Sequence, residues 1–196
     1  MRNYNEKDIK LMFEKYSKNI THVIVAHTHY RPYIASLDYG HFKNIKTPNY
    51  ISNKLQETSK STRHALNCFN KLLYPSHTNR VKQNPNLFKP LCFATIEGAN
   101  ATLDRSQTIH VNFALGNLPS VLTTQDIETL FKHAWHDKAQ QSSNVIALEY
   151  YEKGEGSQWI GYSLKEIQQT KQKAWGKDSI WDVSNCWIPH TALKTD

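Results

Sequence analysis

Apolar residues near the N-terminus recur with a helical period. Ile9, Met12, Phe13 and Tyr16 follow an i, i+3, i+4, i+7 pattern that predicts a helix over residues 6–18. His22-Val-Ile-Val-Ala26 is short, apolar and β-branched, and reads as a buried strand. Residues 31–50, rich in Tyr, Pro and Asn, read as irregular chain. A second helix is expected over 50–74, with Leu66, Phe69, Leu72 and Leu73 facing inward, and Pro75, Pro85 and Pro90 bracket the loop after it. Leu91–Glu97 and Thr108–Leu115 read as strands of a hairpin, because the stretch between them has turn composition. Thr124 is a good N-cap for a helix from Gln125 to about Gln140, with Ile127, Leu130, Phe131 and Trp135 on one face. Val145–Tyr151 reads as a strand, 157–175 as a helix and 180–189 as a last strand. This order predicts an α+β fold with a mainly antiparallel central sheet. Helices should cover one face and leave the other free to hold a site.

Composition narrows the class. The 196 residues are one domain's worth, and 39% hydrophobic with 21% charged residues excludes a collagen-like or globally disordered chain. No apolar run approaches the roughly 18 residues of a membrane span. Met1 to Lys18 is charged throughout and lacks the apolar core of a signal peptide. Cys68, Cys92 and Cys186 are widely spaced and form neither a CxxC pair nor a disulfide framework, so a cytoplasmic, reducing location without structural zinc is expected.

Charge adds a partner class. The net charge is +7, and the segment from His41 to Pro90 holds Lys43, Lys46, Lys54, Lys60, Arg63, Lys71, Arg80, Lys82 and Lys89 against the single acid Glu57. Such a localised surplus suits a polyanion, most simply nucleic acid, although a solubilising surface has the same composition.

Three elements carry candidate chemistry. His110 and Asn112 are two residues apart on a strand, so they project together while Val111 points into the core. Glu97 ends the neighbouring hairpin strand, where its carboxylate can stand beside His110. This mixed N/O set suits Mg²⁺ or Mn²⁺ with open water positions. Tyr162 and Lys165 are three apart on an expected helix and share its face. Taken singly, each has an ordinary structural reading, and only their order and context together point to a site. A competing set is His27-Thr28-His29, two imidazoles on one face if the strand continues, with His22 and His41 near in sequence. It could form the site itself or join His110 across adjacent strands. Tyr150 and Tyr151 compete with Tyr162.

The order Glu, His-hydrophobic-polar, helix, strand and Tyr-x-x-Lys resembles the HUH endonuclease superfamily. It is closest to the single-tyrosine rolling-circle replication initiators. Phe93-Ala-Thr-Ile-Glu-Gly98, Ile109-His-Val-Asn-Phe113 and Trp159-Ile-Gly-Tyr-Ser-Leu-Lys165 carry the resemblance, which covers about residues 90–175. It implies one HUH/RRM-like two-layer sandwich over 1–196, with core segments 20–30 and 90–190 and a basic insertion over about 31–89. It also implies sequence- or hairpin-specific nicking and joining of single-stranded DNA. Tyr162 would be the nucleophile, Lys165 the motif lysine, and His110, Asn112 and Glu97 the ligands of Mn²⁺ or Mg²⁺. Phe113, Tyr150 or Trp159 would stack bases. Lys43, Lys46, Lys54, Lys60, Arg63, Arg80, Lys82 and Lys89 would bind origin hairpin or duplex phosphates beside the nick. Asn112 departs from the motif, which has a second His there; circovirus-type initiators carry the amide Gln. A nuclease-dead origin-binding module on the same fold is the alternative, and an RNA-binding or primase-related protein is a third by fold analogy alone. No GxxxxGK[ST] loop occurs, so unwinding is left to a host or partner helicase.

Overall fold

A computed structural model describes residues 5–29, 48–75, 84, 87–97, 109–142, 146–150 and 181–188. Helix α1 spans Glu6–Tyr16. Its first turn is closed by a capping box in which Asn5 Oδ1 accepts from the Asp8 amide at 3.0 Å and Asp8 Oδ2 accepts from the Asn5 amide at 3.1 Å. A 3₁₀ turn, Ser17–Asn19, leads into β1, Ile20–His27. Helix α2 spans Pro48–Leu73, β2 Leu91–Glu97 and β3 His110–Gly116. Helix α3, Thr124–Lys132, passes directly into a π-helical turn, His133–Lys138, and β4 follows at Ile146–Tyr150. The cap of α3 is Thr123, one residue before the expected Thr124. Asp126 completes its capping box, and the hydrogen bonds from Thr123 hold the Asp126 carboxyl below the usual carboxylate range. Among the described residues no helix is long and apolar enough to cross a membrane.

The fold is α+β around a four-stranded antiparallel sheet of order β2-β3-β1-β4. One face is apolar from end to end. Ile24 and Ala26 of β1, Cys92, Ala94 and Ile96 of β2 and Val111, Phe113 and Leu115 of β3 pack under Ala65, Phe69 and Leu73 of α2 and Ile127 and Phe131 of α3. Phe113 meets Phe131 and Trp135 edge-on, at 5.1 and 5.8 Å between ring centres. Thus α2, inside the stretch read as a basic insertion, is an integral layer of the core.

The opposite face is not left free along its whole length, as expected from the sequence. Ile9, Phe13 and Tyr16 of α1 cover Ile20, Val23, Leu91, Phe93 and Ala114, joined by Trp181 and Ile188. The expected last strand over 180–189 is instead two single bridges, Trp181 to Thr95 and Trp187 to Cys92, flanking a 3₁₀ turn at Val183–Asn185. Buried Asp182 pins this segment: its carboxylate accepts from Ser59 Oγ of α2 at 2.9 Å, Ser184 Oγ at 3.0 Å and Asn185 Nδ2 at 2.6 Å. At the end of β3, a Cβ on Gly116 would lie 2.1 Å from the Asn19 carbonyl oxygen, so only glycine fits there.

Candidate metal centre

The strand register assembles a polar row. Glu97 of β2 pairs with His110 of β3, and His110 pairs with His27 of β1. The adjacent row, Ile96, Val111 and Ala26, belongs to the core under α2 and α3. Pleating therefore turns Glu97, His110 and His27 to the other face, beyond the part that α1 covers. Two residues further along the same face stand Thr95, Asn112 and Val25.

Glu97 is fully buried and His110 nearly so, and Glu97 Oε2 lies 3.3 Å from His110 Nε2. The half-buried His27 ring stacks on His110 with centres 5.1 Å apart and planes 19° from parallel. Burial first, and the neighbouring His110 second, lower the pKa of His27 below its ordinary value. That favours the neutral imidazole, the form that binds metals. The backbone beneath His27 is fixed: its carbonyl accepts from Trp135 Nε1 at 2.9 Å, and Thr28 donates to the Ile109 carbonyl from both its amide (2.9 Å) and its hydroxyl (2.7 Å).

Asn112 is 0% exposed, yet neither end of its amide has a hydrogen-bond partner among the described residues, and the same holds for the Thr95 hydroxyl. Each such group costs about 1–3 kcal/mol unless something else satisfies it. Two donors on adjacent positions of a divalent cation stand about 3 Å apart. The Glu97–His110 separation meets that spacing, and the unpartnered Asn112 amide supplies a further oxygen beside it, so the residues fit a Mn²⁺ or Mg²⁺ ion. As the side chains stand, no three His, Cys, Asp or Glu among the described residues converge on one point.

The other expected site residues separate into groups. Tyr162, Lys165, Tyr151, Trp159, Lys43, Lys46, Arg80 and Lys82 lie outside the described residues. Lys54 is hydrogen-bonded to Glu57 at 2.6 Å. Lys89 is drawn onto the Trp187 ring, its ammonium 3.8 Å from the ring centre, and burial lowers its pKa. Lys60 and Arg63 are exposed on α2. Because α2 packs on the apolar face, this basic helix and the Glu97–His110 row lie on opposite faces of the sheet, not side by side as expected. Phe113 does not present its ring for base stacking; it is fully buried under α3. β1 ends at His27, so strand alternation does not carry to His29, whose ring bonds the Gln140 carbonyl at 2.7 Å. His27 thus leaves the expected pairing with His29 and joins His110. Its signal in the sequence was a histidine closing a buried strand, but its neighbour depends on a register set some 80 residues away.

Comparison of the chain with protein-family models, with characterised proteins and with solved structures returns no match.

Proposed function

We propose that this chain is a metal-dependent, HUH-type endonuclease and strand transferase that nicks single-stranded DNA and retains the 5′ end on a tyrosine. The observation that carries this reading is the Glu97–His110 pair with buried Asn112 beside it, on the sheet face turned away from α2 and α3. Taken from β1 to β4, the strands and the helices α2 and α3 run βαββαβ. With β1 and β3 central, this is the split βαβ order, which supports an RRM-like sandwich extended by α1.

In this reading Glu97, His110 and the Asn112 amide oxygen hold Mn²⁺ or Mg²⁺. The bound cation neutralises charge developing on the scissile phosphate. Tyr162 Oη attacks phosphorus and forms a 5′-phosphotyrosine. The bond from phosphorus to O3′ breaks, and the departing oxygen takes a proton to become a free 3′-OH. Lys165 favours the phenolate of a group whose ordinary pKa is near 10. The phosphodiester energy is kept, so the same residues rejoin strands. Any duplex held by Lys60 and Arg63 lies behind the sheet, away from the nick, and unwinding falls to a partner helicase. The replacement of a second imidazole by Asn112 favours one other reading, a nuclease-dead module that binds origin DNA.

The test incubates purified protein and Mn²⁺ with fluorescent single-stranded DNA, both hairpin oligonucleotides and a randomised library, and resolves the products on denaturing gels. A slow-migrating covalent adduct that disappears in Tyr162→Phe is expected. Salt-sensitive binding without adduct, across Mn²⁺, Mg²⁺ and Co²⁺, would transfer the assignment to the binding module. Preference for RNA over DNA in competition would overturn both readings.

A further inference from the structure

We infer that His27 is a direct ligand of the cation held by Glu97 and His110, so that the site draws on three adjacent strands. The inference rests on the reading of this row as a cation site, and deepens it. Glu97, His110 and His27 occupy one continuous row across β2, β3 and β1, and no other strand residue intervenes. Directly opposed residues of antiparallel strands bring their side chains within about 5 Å. The stacked rings of His27 and His110 meet that spacing at 5.1 Å. A half-buried imidazole can turn about χ1 and χ2 to present a ring nitrogen to an ion already spanned by Glu97 Oε2 and His110 Nε2. The strand beneath it does not have to move, because the His27 carbonyl and both Thr28 donors are tied down.

The chemistry gives His27 a task. Asn112 offers only an amide oxygen where an imidazole would bind more tightly. An imidazole from β1 makes good that loss, giving two nitrogens and a carboxylate, with Asn112 as a weaker fourth donor. Such a set moves the preference from Mg²⁺, which favours oxygen ligands, toward Mn²⁺ and later divalent ions.

The measurement is Mn²⁺ bound to the full chain, studied by electron paramagnetic resonance. Spin-echo modulation from ligand nitrogens counts the imidazoles bound to the metal, and titration gives the affinity. Two imidazoles are expected in the unaltered chain and one in His27→Ala, whose affinity should fall by about tenfold or more. One imidazole in the unaltered chain overturns the inference without needing any variant to fold. So does an unchanged affinity in folded His27→Ala while His110→Ala loses the metal; either result leaves the Glu97–His110 site standing. Absence of Mn²⁺ binding by the unaltered chain removes both the inference and the cation site. Two bound imidazoles in a chain that forms no DNA adduct would support the inference while the proposed nicking activity failed.

Discussion

One sheet face has two ends that differ in kind. At one end Leu91, Phe93, Ala114 and Val23 pack under α1 with Phe13 and Trp181. At the other, the same strands present Thr95 and Glu97, Asn112 and His110, and His27. Pleat, register and burial are continuous, and Asn112 and Thr95 are as inaccessible as Phe93. Folding alone therefore gives no reason for the change in polarity: apolar residues would fit that end with less cost. Strand geometry explains the first end completely, whereas the second keeps buried groups that cost stability and gain meaning only from something bound.

That contrast can be broken at several points. Phe113→Ala should cost the most, about 3–5 kcal/mol in denaturant unfolding, because it empties the apolar face between Phe131 and Trp135. A loss under 1 kcal/mol would mean that face is not the structural one. Gly116→Ala should cost about 1–3 kcal/mol, since strand and Asn19 carbonyl must part; an unchanged melting temperature would contradict the close approach. At the polar end the sign reverses. Thr95→Val with Asn112→Leu should raise stability by about 1–2 kcal/mol while weakening Mn²⁺ binding. Destabilisation by the pair would indicate that both groups already have partners. The smallest effect concerns His22, whose pKa burial lowers from its ordinary 6.5. The unfolded chain then takes up a proton before the folded one does, so stability present above pH 6.5 declines as the pH falls below it. His22→Leu should flatten that part of the melting-temperature profile, and an identical slope would assign the decline elsewhere.

Local signals carried much of the fold. Alternation and turn composition made β2 and β3 legible, and the inward set Leu66, Phe69, Leu72 and Leu73 marked α2 as a core helix. The adjacency of Glu97 and His110 followed from the hairpin. What sequence could not supply was pairing at long range. Nothing local tells β1 to lie beside β3, and so nothing local sets His27 opposite His110. The role of α1 was equally hidden: its apolar stripe was clear, but a stripe does not say which sheet face it covers. Basic residues misled for a related reason. Composition counts Lys54 and Lys89 as surface charge, whereas packing ties one to Glu57 and lays the other on Trp187.

The π-helical turn has a consequence for the order in which the molecule opens. Its Trp135 holds the His27 carbonyl, and the carbonyls of Lys138, Gln140 and Gln141 at its end bond the rings of His64, His29 and His136. A strand end normally frays before its middle. Here the wide turn fastens that end to α2 and α3 at once, so the Thr28 amide should be among the last of β1 to exchange with solvent deuterium. The clock of local unfolding would then run backwards along this strand, starting at Ile20 and finishing beside the polar row.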